Sequence, residues 1–177
     1  MNTTSGESAP NDALRSSDET SFLLRRLRFR YSSPFAEIVS RLESAVRRFD
    51  PDQKPASSDG PDSIADIRAN IQAQATPSGF VLLAKIDHQL LEHLGRKGKS
   101  IQYAIGNPLV AAELTIATSG AALYAPFRLA VIKEAFGDAT TILCDDPADL
   151  MGSFGNAEAA KIGLELSSKL RKLLETL

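Results

Sequence analysis

The chain has 177 residues, of which 43% are hydrophobic and 24% charged, and its formal net charge at pH 7 is −2. This length fits one domain with appendages, and so weak a charge gives no general attraction to nucleic acid or to an anionic membrane. No apolar run approaches the roughly 18 residues of a membrane helix, and a single cysteine excludes an intrachain disulfide and favours a cytoplasmic location.

The N-terminal part of the chain predicts a disordered tail and then a strand. Residues 1–20 are mostly Ser, Thr, Asn, Asp, Glu and Pro, with little to bury, so we expect a tail at 1–20 and one domain over 21–177. Apolar and basic residues then alternate with a period of two, which indicates a half-buried strand with an arginine face. The apolar positions are Leu27, Phe29 and Tyr31, and the basic positions are Arg26, Arg28 and Arg30.

A helix and an excursion follow this strand. Ser33 before Pro34 predicts an N-cap and a first helical residue, and Arg47 and Arg48 fall in the predicted last turn. Chain-breaking residues then dominate the stretch 50–78. We expect an exposed insertion there, with a weak amphipathic turn or two capped by Ser63.

The remaining elements alternate between short strands and helices. Apolar runs predict strands over 80–86 and 101–105, with a short helix over 88–94 between them. Asn107 before Pro108 predicts the N-cap of another helix. The longest strand signal covers 121–134, interrupted at Pro126, and a turn at 137–138 leads into a strand over 140–144. A helical turn after Pro147 and a final helix capped by Asn156 complete the chain.

This order of elements predicts an α+β fold, a mainly antiparallel sheet with helices on one face. Two runs also carry a resemblance to the domain of unknown function family 302, namely Tyr-Ala-Ile-Gly-Asn-Pro-Leu at 103–109 and Ala-Ala-Leu-Tyr-Ala-Pro-Phe-Arg-Leu at 121–129. Ser-Pro-Phe at 33–35, Lys-Ile-Asp-His at 85–88 and the segment 146–155 follow the expected order. The resemblance covers 22–177 apart from the excursion, and members with an insertion there look like fungal versions.

The resemblance implies a TATA-box-binding-protein-like fold with a β-α-β-β-β-β-α core. In this arrangement a curved antiparallel sheet is flanked by two longer helices, and members are often assembled as dimers. The same broad fold hosts several unrelated functions, so the resemblance alone assigns no catalytic residue.

Four residues form the ligand-facing set that we predict. The favoured interpretation of Asn107 is that it caps its helix, an interaction worth on the order of 1 kcal/mol. The alternative is that this helix N-terminus, with Gly106 beside it, also binds an anionic or carbonyl group of a ligand. His88 is an oriented general base or, with better odds, a hydrogen bonder at a strand end. Tyr124 and Arg128 flank Pro126, and strand breaks of this kind often border pockets.

Other chemically suggestive residues have plainer explanations. Alternation places Cys144 in the core, where acidic neighbours raise its pKa, and Asp145 and Asp146 fit a turn before a proline. His88 and His93 lie about 140° apart on a helix, which does not make a metal site. The arginine face could bind phosphates or an acidic partner. Alternatively, it is solvated or paired with acidic residues of the adjacent strand. The lack of a set of stacking aromatic residues disfavours nucleic acid.

These observations favour a homodimeric module that holds a small apolar molecule or a partner protein between sheet and helix. The alternative is a cofactor-free enzyme of the isomerase or cyclase type, using His88 or Asp145 with Tyr124. No motif predicts a metal, a cofactor or a catalytic residue.

Overall fold

The computed structural model describes residues 17–53, 63–75, 77–95, 97–136 and 139–177. The strands are β1 (Arg26–Tyr31), β2 (Val81–Asp87), β3 (Lys99–Gly106), β4 (Phe127–Lys133) and β5 (Thr140–Asp145). The helices are α1 (Phe35–Ala45), α2 (Ile64–Ala75), α3 (Gln89–His93), α4 (Pro108–Ala117), α5 (Pro147–Gly152) and α6 (Ala157–Glu175), with a 3₁₀-helix at Ser119–Leu123. Residues 17–20 are exposed and irregular, while 1–16 of the predicted tail and the turn at 137–138 lie outside the described residues.

The five strands form one curved antiparallel sheet in the order β1-β5-β4-β3-β2. Alternating residues point to opposite faces, so each strand contributes one row to the core. Register aligns Phe29, Ile142, Val131 and Ile101 across four strands on the inner face. The predicted α+β class and antiparallel sheet are therefore confirmed.

The inner face of the sheet is covered by α1, with 11 residues, and α6, with 19, which take the places of the two flanking helices of the fold prediction. Their apolar stripes join the sheet in a single core cluster. Those stripes include Ile38 and Leu42 of α1 and Leu166, Leu170 and Leu174 of α6, each at most 3% exposed. The outer face of the sheet carries the arginines of β1 and, next to Arg28, Leu143 and Ala130 in the same row.

Two local predictions about α1 are wrong, because backbone pairing takes over at its ends. Pro34 is the N-cap in place of Ser33, and its carbonyl accepts the first helical hydrogen bonds. Arg47 and Arg48 lie beyond the last helical residue. The chain extends there because the Arg47 carbonyl accepts from Leu82 N at 2.8 Å, which ties this segment to β2.

The predicted strand 121–134 forms only from Phe127 onwards. The preceding residues instead make a 3₁₀-helix, with Ala121 N donating to Thr118 O at 3.1 Å and Tyr124 N to Ala121 O at 3.0 Å. Ala121 is fully buried in this turn. The segment lacks the β-branched residues that favour an extended backbone.

The excursion at 50–78 is not exposed along all of its described part. In α2, Ile71, Gln74 and Ala75 are buried, whereas Ile64 and Ile67 are exposed. The Gln74 side chain accepts from Asp50 N at 2.8 Å and donates to Asp50 O at 2.9 Å, which anchors the helix to the chain that precedes it. Two amide hydrogen bonds of this kind are a tertiary contact that no local pattern predicts.

Helices α5 and α6 pack so closely that one position on α6 must be glycine. A β-carbon added at Gly163 would lie 2.7 Å from Met151 Cβ and 2.9 Å from Pro147 O. Backbone oxygen cannot move away as a flexible side chain can.

Among the described residues, no helix is long and apolar enough to cross a bilayer.

We expect Gly163→Ala to lower the free energy of unfolding by about 1–3 kcal/mol through overpacking, although alanine favours a helix by about 1 kcal/mol. Urea denaturation measures this change. The matched control is Gly152→Ala, at which an added β-carbon meets nothing within 4 Å. Equal effects of the two substitutions would show that the close packing is not responsible.

Candidate functional site

An apolar cavity, called here the inner cavity, lies between α4 and one end of the sheet. Its volume is about 270 Å³. It is lined by Leu83, Gly106, Asn107, Pro108, Val110, Ala111, Leu114, Ala125, Pro126, Phe127 and Leu166. Among the described residues of this lining, Asn107 supplies the one polar side chain.

The inner cavity exists because β2 is irregular at its first residues. The register shifts between Leu82 and Ala84, so Leu83 is an extra residue that the ladder does not pair. A β-carbon built on Gly106 would lie 3.5 Å from Leu83 Cδ1 and 3.6 Å from Pro126 Cβ. Leu83 and Pro126 therefore both lie against Gly106, and all three residues line the cavity.

Asn107 is the N-cap of α4, as predicted. Its Oδ1 accepts from Leu109 N at 3.0 Å, and its Nδ2 donates to Gly79 O at 3.2 Å. A carboxamide has two N–H groups and two acceptor lone pairs. One donor and one lone pair of Asn107 therefore remain for a ligand in the inner cavity.

A second depression, called here the outer cavity, lies on the opposite face of the sheet. Its volume is about 340 Å³. It is lined by Ala84, Ile86, Gln102, Ala104, Ala122, Leu123, Ala125, Pro126 and Arg128. Ala125 and Pro126 line both cavities and separate them.

Tyr124 and Arg128 lie together, in a smaller cavity of about 90 Å³ that Asp145 also lines. The Tyr124 ring packs at 5.7 Å from the Phe154 ring. The Asp145 carboxylate accepts from Arg26 Nε at 2.8 Å. Of the predicted set, Asn107, Tyr124 and Arg128 thus surround the same end of the sheet.

His88 lies at the other end of the sheet, so the four predicted residues do not form one site. Val81 of β2 pairs with Gly106, whereas His88 N donates to Ser100 O beyond the far end of that strand. A strand of this length spans about 20 Å. The first version of the enzymatic alternative, His88 with Tyr124, is therefore wrong on distance. The second version, Asp145 with Tyr124, keeps both residues in the lining of the smaller cavity.

A polar cluster that sequence reasoning missed joins α1 to β2 and β3. The Tyr103 hydroxyl donates to Glu43 Oε1 at 2.6 Å, and Lys85 Nζ lies 2.7 Å from the same oxygen. Burial and the Glu43 carboxylate raise the pKa of Tyr103. Burial acts to raise the pKa of Glu43, but hydrogen bonds from Lys85 and Tyr103 and the charge of Lys85 outweigh it and lower that pKa. The sequence predicted only a strand over 101–105, and nothing local identified Glu43 as the partner of Tyr103.

Cys144 is buried, as predicted, and burial together with Asp145 and Asp146 raises the pKa of its thiol to about 12. Such a thiol stays protonated at neutral pH and is a weak nucleophile. Across the described part of the chain, no three His, Cys, Asp or Glu side chains converge to hold a metal ion.

An ion-pair network holds the segment that precedes β1 in place. This segment includes Phe22 and Leu24, which line the smaller cavity. Arg25 Nη2 lies 2.7 Å from Asp149 Oδ1, and Arg171 Nη2 donates to Asp146 Oδ2 at 2.8 Å. Asp146 is 1% exposed. Burial acts to raise the pKa of Asp146, but hydrogen bonds from Ser167, Ala148 and Arg171 outweigh burial and lower it.

We expect Asp146→Asn to lower the free energy of unfolding at pH 7 by about 2 kcal/mol, because it removes the charge that Arg171 and Arg25 share. Because folding lowers the pKa of Asp146, its ionisation stabilises the fold at pH values above about 3.9, the pKa of an unfolded aspartate. This stabilisation is lost as the pH falls through the lower pKa of Asp146 in the folded state. The difference from wild type should therefore narrow below about pH 4 in urea titrations. Glu165→Gln is the control, because it removes an exposed carboxylate from α6, the helix that carries Arg171. A pH-independent difference would contradict this assignment.

Comparison with known proteins agrees with the architecture. The family model "Domain of unknown function DUF302" matches residues 57–177, which include α2 and leave out β1 and α1. The crystal structure of an uncharacterized conserved DUF302 protein from Bacillus stearothermophilus is similar, with a TM-score of 0.62 and 17% identity. The similarity covers 85% of this chain and 95% of that one, whereas no curated protein matches. The resemblance inferred from the sequence is confirmed, and the chain belongs to the DUF302 family.

Proposed function

We propose that this chain is a binding module for a small apolar molecule, which the inner cavity holds against α4. One observation carries the proposal. The described lining of that cavity is apolar except for Asn107, whose carboxamide keeps a donor and a lone pair for orienting a ligand. Apolar walls with a few convergent polar groups are typical of small-molecule sites.

The size of the inner cavity sets the scale of the ligand. An engineered protein cavity of about 150 Å³ binds benzene, so about 270 Å³ suits a body of one or two rings. Burying about 150 Å² of apolar surface contributes about 4 kcal/mol, which corresponds to a dissociation constant near the millimolar range. Tighter binding requires the hydrogen bonds of Asn107.

Binding is better supported than catalysis. No group whose pKa is raised or lowered, such as Tyr103, Glu43, Cys144 or Asp146, belongs to the described lining of the inner cavity. Asp145, a residue of the enzymatic alternative, is held by Arg26. Catalytic acids and bases normally border the cavity that holds the substrate.

We expect indole and benzene to shift the methyl resonances of Leu83, Val110 and Leu114 in a saturable way. Ala111→Phe should abolish these shifts, because Ala111 lines the inner cavity and the ring would fill it. Ala112→Phe adds the same ring at an exposed position of the same helix, so it should leave binding unchanged. NMR titration of methyl-labelled protein measures both.

Wild-type affinity in the Ala111→Phe variant, or shifts confined to other parts of the molecule, would contradict a ligand in the inner cavity. Retained chemical-shift dispersion in the variant shows that the chain still folds. A loss of binding can then be assigned to the filled cavity.

We also propose that the chain acts in the cytoplasm as a homodimer. A single, buried cysteine suits a reducing compartment. Three apolar side chains at one end of the molecule, called here the α3 patch, support a self-association surface. Ile86 is 50% exposed, Leu90 68% and Leu94 76%, within nine residues of the chain, and exposed apolar patches commonly mark interfaces.

Sedimentation equilibrium should therefore give twice the mass of a single chain, and the double substitution Leu90→Glu, Leu94→Glu should give one chain mass. The reason is that two carboxylates at this patch would have to be desolvated on association. The control is Leu164→Glu, at a position of α6 that is 63% exposed. A monomeric wild type would exclude the dimer, and a dimeric double variant would exclude the α3 patch as its interface.

A further inference from the structure

We propose that the outer cavity is a second binding site, for a small molecule that joins an apolar body to a carboxylate held by Arg128. This site lies on the opposite face of the sheet from the inner cavity. It is separated from the inner cavity by Ala125 and Pro126, which line both. The proposal therefore stands independently of any ligand in the inner cavity.

Small side chains form the floor of the outer cavity. Register aligns Arg128 of β4 with Ala104 of β3, and Ala104 with Ala84 of β2. Two alanines in one row leave a depression beside the longer arginine side chain, because alternate residues of a strand share a face. Ile86 and Leu123, which are 50% and 73% exposed, stand at its sides.

Arg128 is the one charged residue of the described lining, and it has no carboxylate within 4 Å among the described residues. The acid that lies nearest along the same row, Asp145, is already bound by Arg26 at 2.8 Å. The guanidinium therefore keeps its full set of donors for an incoming group. A planar guanidinium matches a carboxylate in two parallel hydrogen bonds.

The shape of the site favours a small molecule over a macromolecule. Ala122 and Leu123 of the 3₁₀-helix stand beside the sheet at this point, so the alanine floor lies in a recess. A recess of about 340 Å³ falls at the lower end of the volume range of ligand sites. Two other arginines of this face form no ion pair with any residue that the structure describes. They are Arg28 and Arg30, which lie on β1 outside the recess.

The test compares 4-phenylbutyrate with 4-phenylbutanamide, two probes of nearly equal shape that differ in charge. We expect both to shift the methyl resonances of Ala84 and Ala104, with the carboxylate binding roughly fivefold more tightly. Arg128→Gln should reduce the affinity for the carboxylate to that for the amide and leave the amide unchanged. Arg28→Gln makes the same change of charge on the same face outside the recess, so it should keep the preference.

Two further variants separate this site from the inner cavity and from a general charge effect. Ala104→Leu fills the floor and should weaken both probes, whereas Ala111→Phe fills only the inner cavity and should leave the preference intact. Equal affinity of the two probes for wild type, or an equal loss in Arg28→Gln and Arg128→Gln, would overturn the proposal. So would the absence of shifts at Ala84 and Ala104 at millimolar probe.

Nucleic acid is the competing explanation for unpaired arginines on a sheet face. A single-stranded oligonucleotide whose binding falls equally in Arg28→Gln, Arg30→Gln and Arg128→Gln would overturn the small-molecule proposal, because phosphate contacts act additively along a backbone. Carboxylate binding that depends on Arg128 and Ala104 alone supports it.

Discussion

Burial of one sheet face beneath α1 and α6 is the interaction on which the remaining features of the molecule depend. Leu129, Val131 and Ile142 are at most 2% exposed, and each such side chain contributes about 1.5–3 kcal/mol on leaving water. Tyr103 joins the same layer, but its hydroxyl needs a partner once buried. Glu43 supplies it from α1 at 2.6 Å, so the requirement to satisfy one hydroxyl also fixes that helix against the sheet.

A sheet covered on one side leaves an outer face whose residues are set by the same alternation. Because successive side chains of a strand point to opposite faces, the residues of β4 that alternate with the buried ones lie on the outer face. These outer residues are Arg128, Ala130 and Ile132. Because the outer face is not needed for the core, its side chains are free to serve recognition. On β3 and β4 the outer face combines a small residue, Ala104, with Arg128, which forms no ion pair with a described residue, and we propose that this combination serves a ligand.

Local signals in the sequence predicted those features that depend on a few adjacent residues. Asn107 and Asn156 cap their helices as their position before a helical run requires, with side-chain oxygens accepting from Leu109 N and Ala159 N at 3.0 Å. The strand at β1 followed directly from alternation. An N-cap interaction and a period of two are both complete within a few residues, so no knowledge of the rest of the chain is needed.

The errors came from pairings between distant parts of the chain. Arg47 lies outside the helix because its carbonyl accepts a hydrogen bond from Leu82 N, 35 residues further along the chain. Gln74 is buried because its side chain forms hydrogen bonds with both the N–H and the carbonyl of Asp50. The predicted ligand set failed at His88 for a related reason. Position along the sequence did not reveal that β2 carries His88 to the end of the sheet opposite to Asn107.

The two cavities lie at one end of the sheet on either side of Ala125 and Pro126, which line both. Their chemistry differs because they open to different faces, one lined by the helix α4 and the other by the alternate residues of the strands. The solved relative at 17% identity shares the fold, and a shared fold does not specify a ligand. Substitution of Pro126 or Ala125 would alter both cavities at once. Function is therefore best assigned through residues that belong to one cavity alone, which Ala111 does for the inner cavity and Ala104 for the outer one.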